Sequence, residues 1–361
     1  MIDDDVEIFQ RQRQAVFYPK ADLPLPDALL RPSMPAPEVQ AAQVRAASDV
    51  CRRALGESPV DVRPLSELGT FHTLYRATFA DGRRRVVRFN ALSSQQRDCP
   101  LLLDAAASAA LKEAGLPALV VKKVDLSRQW CPWDYEIVEE APGKSLKAFD
   151  HDDALIMPLL RALGGFVARL HAIHTEGSGL MDVRPLTRSG AMTLRGAWAR
   201  WQDYLMVRLP EHVACCVDLG AITTREADAI HEQFECLRDI AVTPCLLHGD
   251  LGNHNIFTDG SAITALIDWE DCLSGDPVYD IAFWATFHPE RRHRAFLEGY
   301  QEVRPLPVDF EMRFWLYFLR VALAKTVLRH RLGLKDLPGR SPAALRIRRG
   351  LDGVVALRRA A

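Results

Sequence analysis

Residues 246–271 read LLHGDLGNHNIFTDGSAITALIDWED. His248-Gly249-Asp250 comes near the start of the stretch, Asn255 follows Asp250 by five positions, and an apolar run stops abruptly on Asp268. Between them, Asp259-Gly260 is a strong signal for a tight turn, and ITALI has the length and β-branching of a buried strand. The pattern predicts two short strands folded around that turn, with Asp268 held at a fixed point near Asp250 and Asn255. Oxygen ligands of this kind suit Mg²⁺, which takes one or two protein oxygens and fills its octahedron with phosphate and water. Asn255 and Asp268 would then hold the ion on a nucleotide's phosphates while Asp250 accepts the proton of an attacking hydroxyl. Phosphoryl transfer needs little beyond such positioning and charge neutralisation. Taken as turn chemistry alone, the same residues make an Asx-rich turn and a hairpin, with Asp268 capping a helix.

The texture of the chain changes on either side of this stretch. Residues 1–37 hold six of the 22 prolines and predict an extended arm with short helical pieces. A helix should start near Glu38, and after Gly56 the run VRPLSELGTFHTLYRATFADGRRRVVRFNAL alternates as strands do around the Asp81-Gly82 turn. CPLLLDAAASAALKEAGLP predicts a helix stopped by Gly115 and Pro117, and LPALVVKKVD and WDYEIVEEA predict two more strands. Beyond Ala141-Pro142-Gly143 helices dominate, in MPLLRALGGFVARLHAIH, GAWARWQDYLMVRL, TTREADAIHEQFECLRDI, DIAFWATF, RRHRAFLEGYQEV and a run from Phe310 to Arg331. The sum is an α+β chain with a small antiparallel-sheet N-lobe over 38–140 and a larger, mainly helical C-lobe over 141–361. A cleft between two lobes is where a ligand is expected.

HGDLGNHN, IDWED and GDPVYD together resemble the aminoglycoside phosphotransferase family, the small-molecule branch of the protein-kinase-like fold that includes choline kinases and homoserine-type kinases. Protein kinases share the Asp-x-x-x-x-Asn spacing and a downstream Asp on metal. The sequence is most similar to antibiotic kinases of the hygromycin phosphotransferase type, in which IDW, GD and a following Tyr recur at similar spacing. The resemblance implies a two-lobed fold, a nucleoside triphosphate donor (ATP or GTP), Mg²⁺, and a small-molecule acceptor with a free hydroxyl. It casts Asp250 as the catalytic base, Asn255 and Asp268 as metal ligands, His248 as a brace for the loop and Asp276 as a further support. It covers roughly residues 60–330, and it departs from the commonest pattern, His-Pro-Gly before the Asn, by carrying Gly252-Asn253-His254.

Arg88 in VVRFNA falls on the third strand, where this fold places a cation on the α- and β-phosphates paired with an acid on the next helix. Counting back from Gly115 puts Asp104 at about the place of that acid. Gly69 lies in a segment that either covers phosphates or is a plain turn, and backbone groups of Glu139 and Ala141 would pair with a purine edge. Trp198, Trp201, Tyr204 and the acidic helix of 223–240 lie where the family builds its acceptor pocket, although near-helical spacing suits core residues as well. His171 and His174 share a helix face and are expected to be structural.

Composition narrows the classes of function. The 361 residues are 48% hydrophobic and 25% charged, with a net charge of −2 and a pI near 6.6, so no electrostatic footprint for nucleic acid or an anionic membrane is present. An acidic N-terminus and the lack of an apolar run near ~18 residues predict a cytoplasmic protein with no membrane span. Eight cysteines without a C-x-x-C predict buried thiols. Monomer and homodimer both remain open. The expected function is phosphorylation of a sugar-containing antibiotic. The alternatives are a kinase of choline, an amino alcohol or a simple sugar, and a non-catalytic nucleotide-binding regulator, which would be marked by loss of Asp250 or Asp268.

Overall fold

Strand alternation and helix-capping residues sort the chain between two cores. The computed structural model describes residues 7, 10–24, 35–65, 72–90, 100–188, 192–334 and 343–360. Helix α1 is a single turn, Pro19–Asp22, and α2 spans Pro37–Leu55 with Pro in its first turn and Gly56 closing it at φ 74°. Strands β1 (Asp61–Pro64), β2 (His72–Thr78), β3 (Arg84–Asn90), β4 (Val121–Asp125) and β5 (Tyr135–Glu139) form one antiparallel sheet in the order β1-β2-β3-β5-β4. Period-two alternation turns Tyr75, Ala77, Val87, Phe89, Tyr135 and Ile137 toward Ala47, Val50 and Cys51 of α2, which makes the small lobe's core. The same alternation sends Arg88 and its cross-strand partner Glu136 to the opposite face. Helix α3 (Pro100–Glu113), although within the N-lobe stretch, packs Leu103, Ala106, Ala107 and Leu111 into the larger core.

At the expected lobe junction, Gly143 sits at φ 87° with its α-carbon so near Thr258 that a β-carbon would lie 2.1 Å from the Thr258 carbonyl oxygen, so only glycine fits. The two-residue strand β6 (Lys144–Ser145) then leads to α4 (Asp153–Leu170), capped by the Asp152 carboxylate on the N–H of Ala154 at 2.8 Å. A second sheet, in the order β8-β7-β12-β9, is built from β7 (Ser178–Met181), β8 (Gly196–Trp198), β9 (Cys245–Leu247) and β12 (Leu273–Gly275). A third joins β6 to the hairpin of β10 (Ile256–Thr258) and β11 (Ile263–Leu266). Around them lie α5 (Trp201–Met206), α6 (Leu209–Asp218), α7 (Thr224–Glu235), α8 (Val278–Thr286), α9 (Glu290–Gln301), α10 (Phe310–Arg331) and α11 (Ala343–Ala360). No helix among the described residues is long and apolar enough to cross a membrane.

Two expectations change. GAWARWQDYL is not one helix: Gly196 and Trp198 pair with Met181 and Ser178 of β7, and the helix begins only at Trp201. A strand partner distant in sequence overrides the local helical spacing. The N-terminal arm, moreover, is part of the larger lobe. Val16, Phe17, Tyr18 and Ala21 are buried in its core, the Phe17 carbonyl accepts the Tyr204 hydroxyl at 2.6 Å, and the Arg320 guanidinium lies 3.5 Å from the centre of the Phe17 ring. Asp22 pairs with His212 at 2.6 Å, both side chains buried, and Arg331 caps the carbonyls of Ala21 and Leu23.

Within this lobe His293 on α9 stacks on Phe314 of α10 and is 9% exposed. Burial, reinforced by Arg349 and only partly opposed by Glu290, pulls its imidazole down from 6.5 to about 4. The unfolded chain therefore binds a proton between these values that the folded one refuses, and stability falls as pH drops from 6.5 through 4, by up to about 3 kcal/mol. In chemical denaturation at pH 7 and pH 4.5, His293→Phe should lose about 2–3 kcal/mol less than the wild type over that interval; parallel losses would remove His293 from the acid limb.

Candidate active site

Strand β9 ends at Leu247 and delivers the loop 248–255, whose backbone is fixed by one buried acid. Asp280, in the first turn of α8, accepts the N–H of His248 at 2.7 Å and of Gly249 at 3.0 Å. His171, fully buried, stands behind Asp280 at 3.4 Å and meets the Tyr300 hydroxyl at 3.0 Å, the structural role expected of it. Gly249 sits at φ 77°, and a β-carbon there would be 2.0 Å from the Asp271 carbonyl oxygen. The His248 ring spans the loop: Nδ1 accepts the Asp250 N–H at 3.4 Å, which leaves Nε2 to donate to the Ile267 carbonyl at 3.0 Å. Asp276, expected to support this loop, instead accepts from Arg313 at 2.9 Å and the Tyr317 hydroxyl at 2.8 Å, so the carboxylate that touches the loop is Asp280.

Asn253, in the segment that departs from the common pattern, ties the loop down. Its side chain donates to Asp150 at 2.7 Å, and its carbonyl accepts the Ser145 hydroxyl at 3.0 Å and the Lys147 N–H at 3.1 Å. His254 is exposed. The Asn255 amide nitrogen donates to the Asp250 carbonyl at 3.1 Å, which assigns its orientation and frees its oxygen for a cation. The β10–β11 hairpin, closed by Asp259 on the N–H groups of Ser261 and Ala262, then returns the chain to Asp268. Asp268 is left-handed, at φ 68° and ψ 61°, a conformation that costs a non-glycine residue about 1–2 kcal/mol.

The two lobes meet across Arg88. Its Nη1 donates to Asp104 of α3 at 2.6 Å and its Nη2 to Asp268 at 2.8 Å, with Glu270 at 3.3 Å and Glu136 at 3.4 Å. Asp104 also accepts the Trp269 N–H at 2.8 Å, and His72 of β2 meets Glu270 at 2.9 Å. Asp250 faces two ammonium groups, Lys325 at 3.2 Å and Lys20 at 3.8 Å. Burial alone would push its carboxyl up, but Lys325 and Lys20 together hold it well below the usual carboxylate range. Burial lifts Asp271 to about 6 against the pull of Lys20, and lifts Glu136 to about 8 with help from Asp104.

Asp250, Asn255, Asp268, Arg88 and Asp104 thus come together, whereas Gly69 lies outside the described residues. At the lobe junction the Glu139 N–H is spent on the Val120 carbonyl at 3.1 Å. Ala141 makes no backbone hydrogen bond among the described residues and so keeps both groups open for a purine edge. Trp201 and Tyr204 are core residues, packed on each other and, through Trp201, on Tyr279 at 5.4 Å, and do not offer their faces to a ligand. The sequence reading missed Lys20, Lys325, Glu136 and Glu270-Asp271; of these only the acid pair directly after Asp268-Trp269 left a local trace.

The donor set fits a divalent ion. Asp104, Glu136, Asp250, Asp268, Glu270 and Asp271 outnumber the cations Arg88, Lys20 and Lys325, and burial together with the neighbouring acids pushes Asp271 and Glu136 up. No group of three or more His, Cys, Asp or Glu side chains among the described residues is arranged to hold a metal alone. Magnesium needs no such cage when phosphate and water complete its shell.

Residues 61–315 match the family model described as "Phosphotransferase enzyme family". By sequence the chain is 27% identical over 199 residues to the hygromycin-B 4-O-kinase of Escherichia coli, across 52% of this chain and 54% of that protein. It is 30% identical over 131 residues to the homoserine kinase of Methylobacillus glycogenes, across 34% and 40%. The chain therefore spans about half or less of the length of these relatives. A thermostable mutant of aminoglycoside phosphotransferase APH(4)-Ia, solved as a ternary complex with AMP-PNP and hygromycin B, shares the fold at a TM-score of 0.60 and 19% identity, over 86% of this chain and 98% of that one. With the model matched from β1 to α10 and the two-lobed kinase-like fold around it, the chain belongs to the phosphotransferase enzyme family.

Proposed function

We propose that the chain is a nucleoside triphosphate-dependent O-phosphotransferase acting on a hydroxyl of a small molecule, with a sugar-containing antibiotic as the leading acceptor class. The observation that carries this reading is the convergence of Asp250, Asn255 and Asp268, with Arg88 joining Asp268 at 2.8 Å to Asp104 at 2.6 Å. Asn255 and Asp268 would hold Mg²⁺, which when bound neutralises phosphate charge. Arg88, steered by Asp104, would meet the α- and β-phosphates with its fork, and the open backbone of Ala141 would take the purine edge of ATP or GTP. Asp250 orients the acceptor hydroxyl and takes its proton. A carboxylate held this acidic is a poor base toward a free alcohol, but once the oxygen bonds to phosphorus its proton becomes acidic enough to move, which suits a loose transition state. The APH(4)-Ia complex with hygromycin B supports an antibiotic acceptor, and the homoserine kinase match keeps a metabolite kinase as the second reading.

The test is a screen with ATP and GTP, each with Mg²⁺, against hygromycin B, other sugar-containing antibiotics, choline, homoserine and simple sugars. Nucleoside diphosphate release that depends on one of the antibiotics is expected, together with a mass gain of one phosphoryl group on it. Release that depends on homoserine or choline alone would favour the metabolite reading, and no turnover with any acceptor would overturn the proposal.

A further inference from the structure

Lys20 lies outside the stretch matched by the family model, on the single-turn helix α1 of the N-terminal arm. Its ammonium nevertheless stands 2.9 Å from Asp271, 3.3 Å from Glu270 and 3.8 Å from Asp250. Glu270 receives Arg88 on its other oxygen, and Arg88 also holds Asp268. Lys20 therefore occupies the space between the proposed proton acceptor and the wall that carries the metal-side acid. In phosphoryl transfer the group that lies between those two is the one transferred. We infer that Lys20 is a catalytic residue of this chain, delivered by the arm to contact the γ-phosphoryl group of the nucleotide. The inference rests on the phosphotransferase reading above.

The arm is built to keep this lysine in place. Phe17 and Tyr18 are core residues, the Asp22–His212 pair is buried, and Arg331 caps the carbonyls of Ala21 and Leu23. A plug that mimics a cationic acceptor would have to leave before the acceptor enters, and leaving would take Asp22 from the buried His212, which would keep only Arg320, and strip Phe17 from Arg320. Lys325 meets the other carboxylate oxygen of Asp250 and is held there by the Tyr18 hydroxyl at 2.8 Å and the ring faces of Tyr18 and Phe283. The two lysines thus divide the work: Lys325 stays with Asp250, while Lys20, a point charge on a flexible stem, turns from three carboxylates to phosphate oxygens. In the transfer the acceptor oxygen bonds to phosphorus, the bond from phosphorus to the bridging β-phosphate oxygen breaks with its electron pair leaving on the diphosphate, and the hydroxyl proton passes to Asp250. Lys20 neutralises the charge spread over the equatorial oxygens of the group in flight.

Calorimetric titration of full-length wild type, Lys20→Met and Lys20→Arg with AMP-PNP or ADP, each with Mg²⁺, reads this contact without an acceptor; if the wild type prefers guanine, GMP-PNP and GDP take their place. Loss of one charge-assisted contact should raise the Lys20→Met Kd for AMP-PNP about tenfold or more and that for ADP less than about threefold, with Lys20→Arg recovering most of the difference. Equal shifts for both nucleotides, or none, overturn the inference while leaving the phosphotransferase reading standing. A wild type that binds no nucleoside triphosphate analogue overturns both. If Lys20→Met does not fold, an acyl phosphate of ATP is used on the wild type: the lysine amine attacks the acyl carbonyl, an amide forms and ATP leaves. Peptide mass spectrometry should then find Lys20 acylated and protected by excess ATP, and labelling confined to other lysines overturns the assignment.

Discussion

Asp250→Asn is expected to lower kcat by about 10²- to 10⁴-fold while the KM for nucleotide stays within about threefold. The amide matches the carboxylate in shape but cannot accept the hydroxyl's proton, so the loss falls on the transition state and not on ground-state binding. The surroundings predict that the variant folds. Lys325 keeps the Tyr18 hydroxyl and two ring faces, and Lys20 keeps Asp271 and Glu270. The loop itself is fastened through main-chain atoms, since Asn255 donates to the Asp250 carbonyl and Asp280 holds His248 and Gly249. Steady-state kinetics with the acceptor identified by the screen, beside a thermal melt, separate chemistry from folding. A variant that keeps more than about a tenth of kcat removes Asp250 from the role of base.

What the sequence revealed and what it hid follow from the range of the interactions involved. Asp250, Asn255 and Asp268 lie within 19 positions, joined by a turn whose Asp-Gly chemistry is local, so their convergence could be read directly. Arg88 and Asp104 were legible one step further out, because strand alternation fixes which face Arg88 takes and the helix after β3 has few acids to offer. Lys20 and Lys325 left no trace. Each reaches Asp250 only through packing of segments far away in sequence, and a lysine in a proline-rich arm looks like any solvated lysine. The apolar triplet Val16-Phe17-Tyr18 was the one hint that the arm docks, and its partners Tyr204, His212 and Arg320 are spread over three other helices. Trp201 and Tyr204 show the converse: their types and place suit a ligand pocket as well as a core, and only the observed burial decides. Asp280 lies in the first turn of α8, and that its carboxylate faces the neighbouring loop depends on how α8 packs beside β9.

Asp268→Asn should cut turnover by about 10³-fold and shift the Mg²⁺ dependence to higher concentration, since a metal ion's share of transition-state stabilisation is worth several kcal/mol. The left-handed backbone at Asp268 makes the choice of substitute informative. Asn adopts φ near +68° more readily than other non-glycine residues, so this variant removes charge with little added strain. Asp268→Ala removes the same charge but lacks the side-chain amide that favours this conformation, and should cost about 1 kcal/mol more in stability than Asp268→Asn. Arg88 loses the negative charge at 268 in either case yet keeps Asp104, Glu136 and Glu270, so the lobe contact persists. If the acid holds the metal, both variants fail in catalysis alike while their melting temperatures differ. If Asp268 serves only to shape the loop, Asn should keep more than about a tenth of the activity with an unchanged Mg²⁺ midpoint, and the loss in Ala should follow its stability. The strained conformation then becomes the discriminator: the Asp268 carboxylate is kept where the backbone is unfavourable, 2.8 Å from Arg88 and with 29% of its side chain exposed, and the pair of variants reads whether charge or backbone shape is what the position needs.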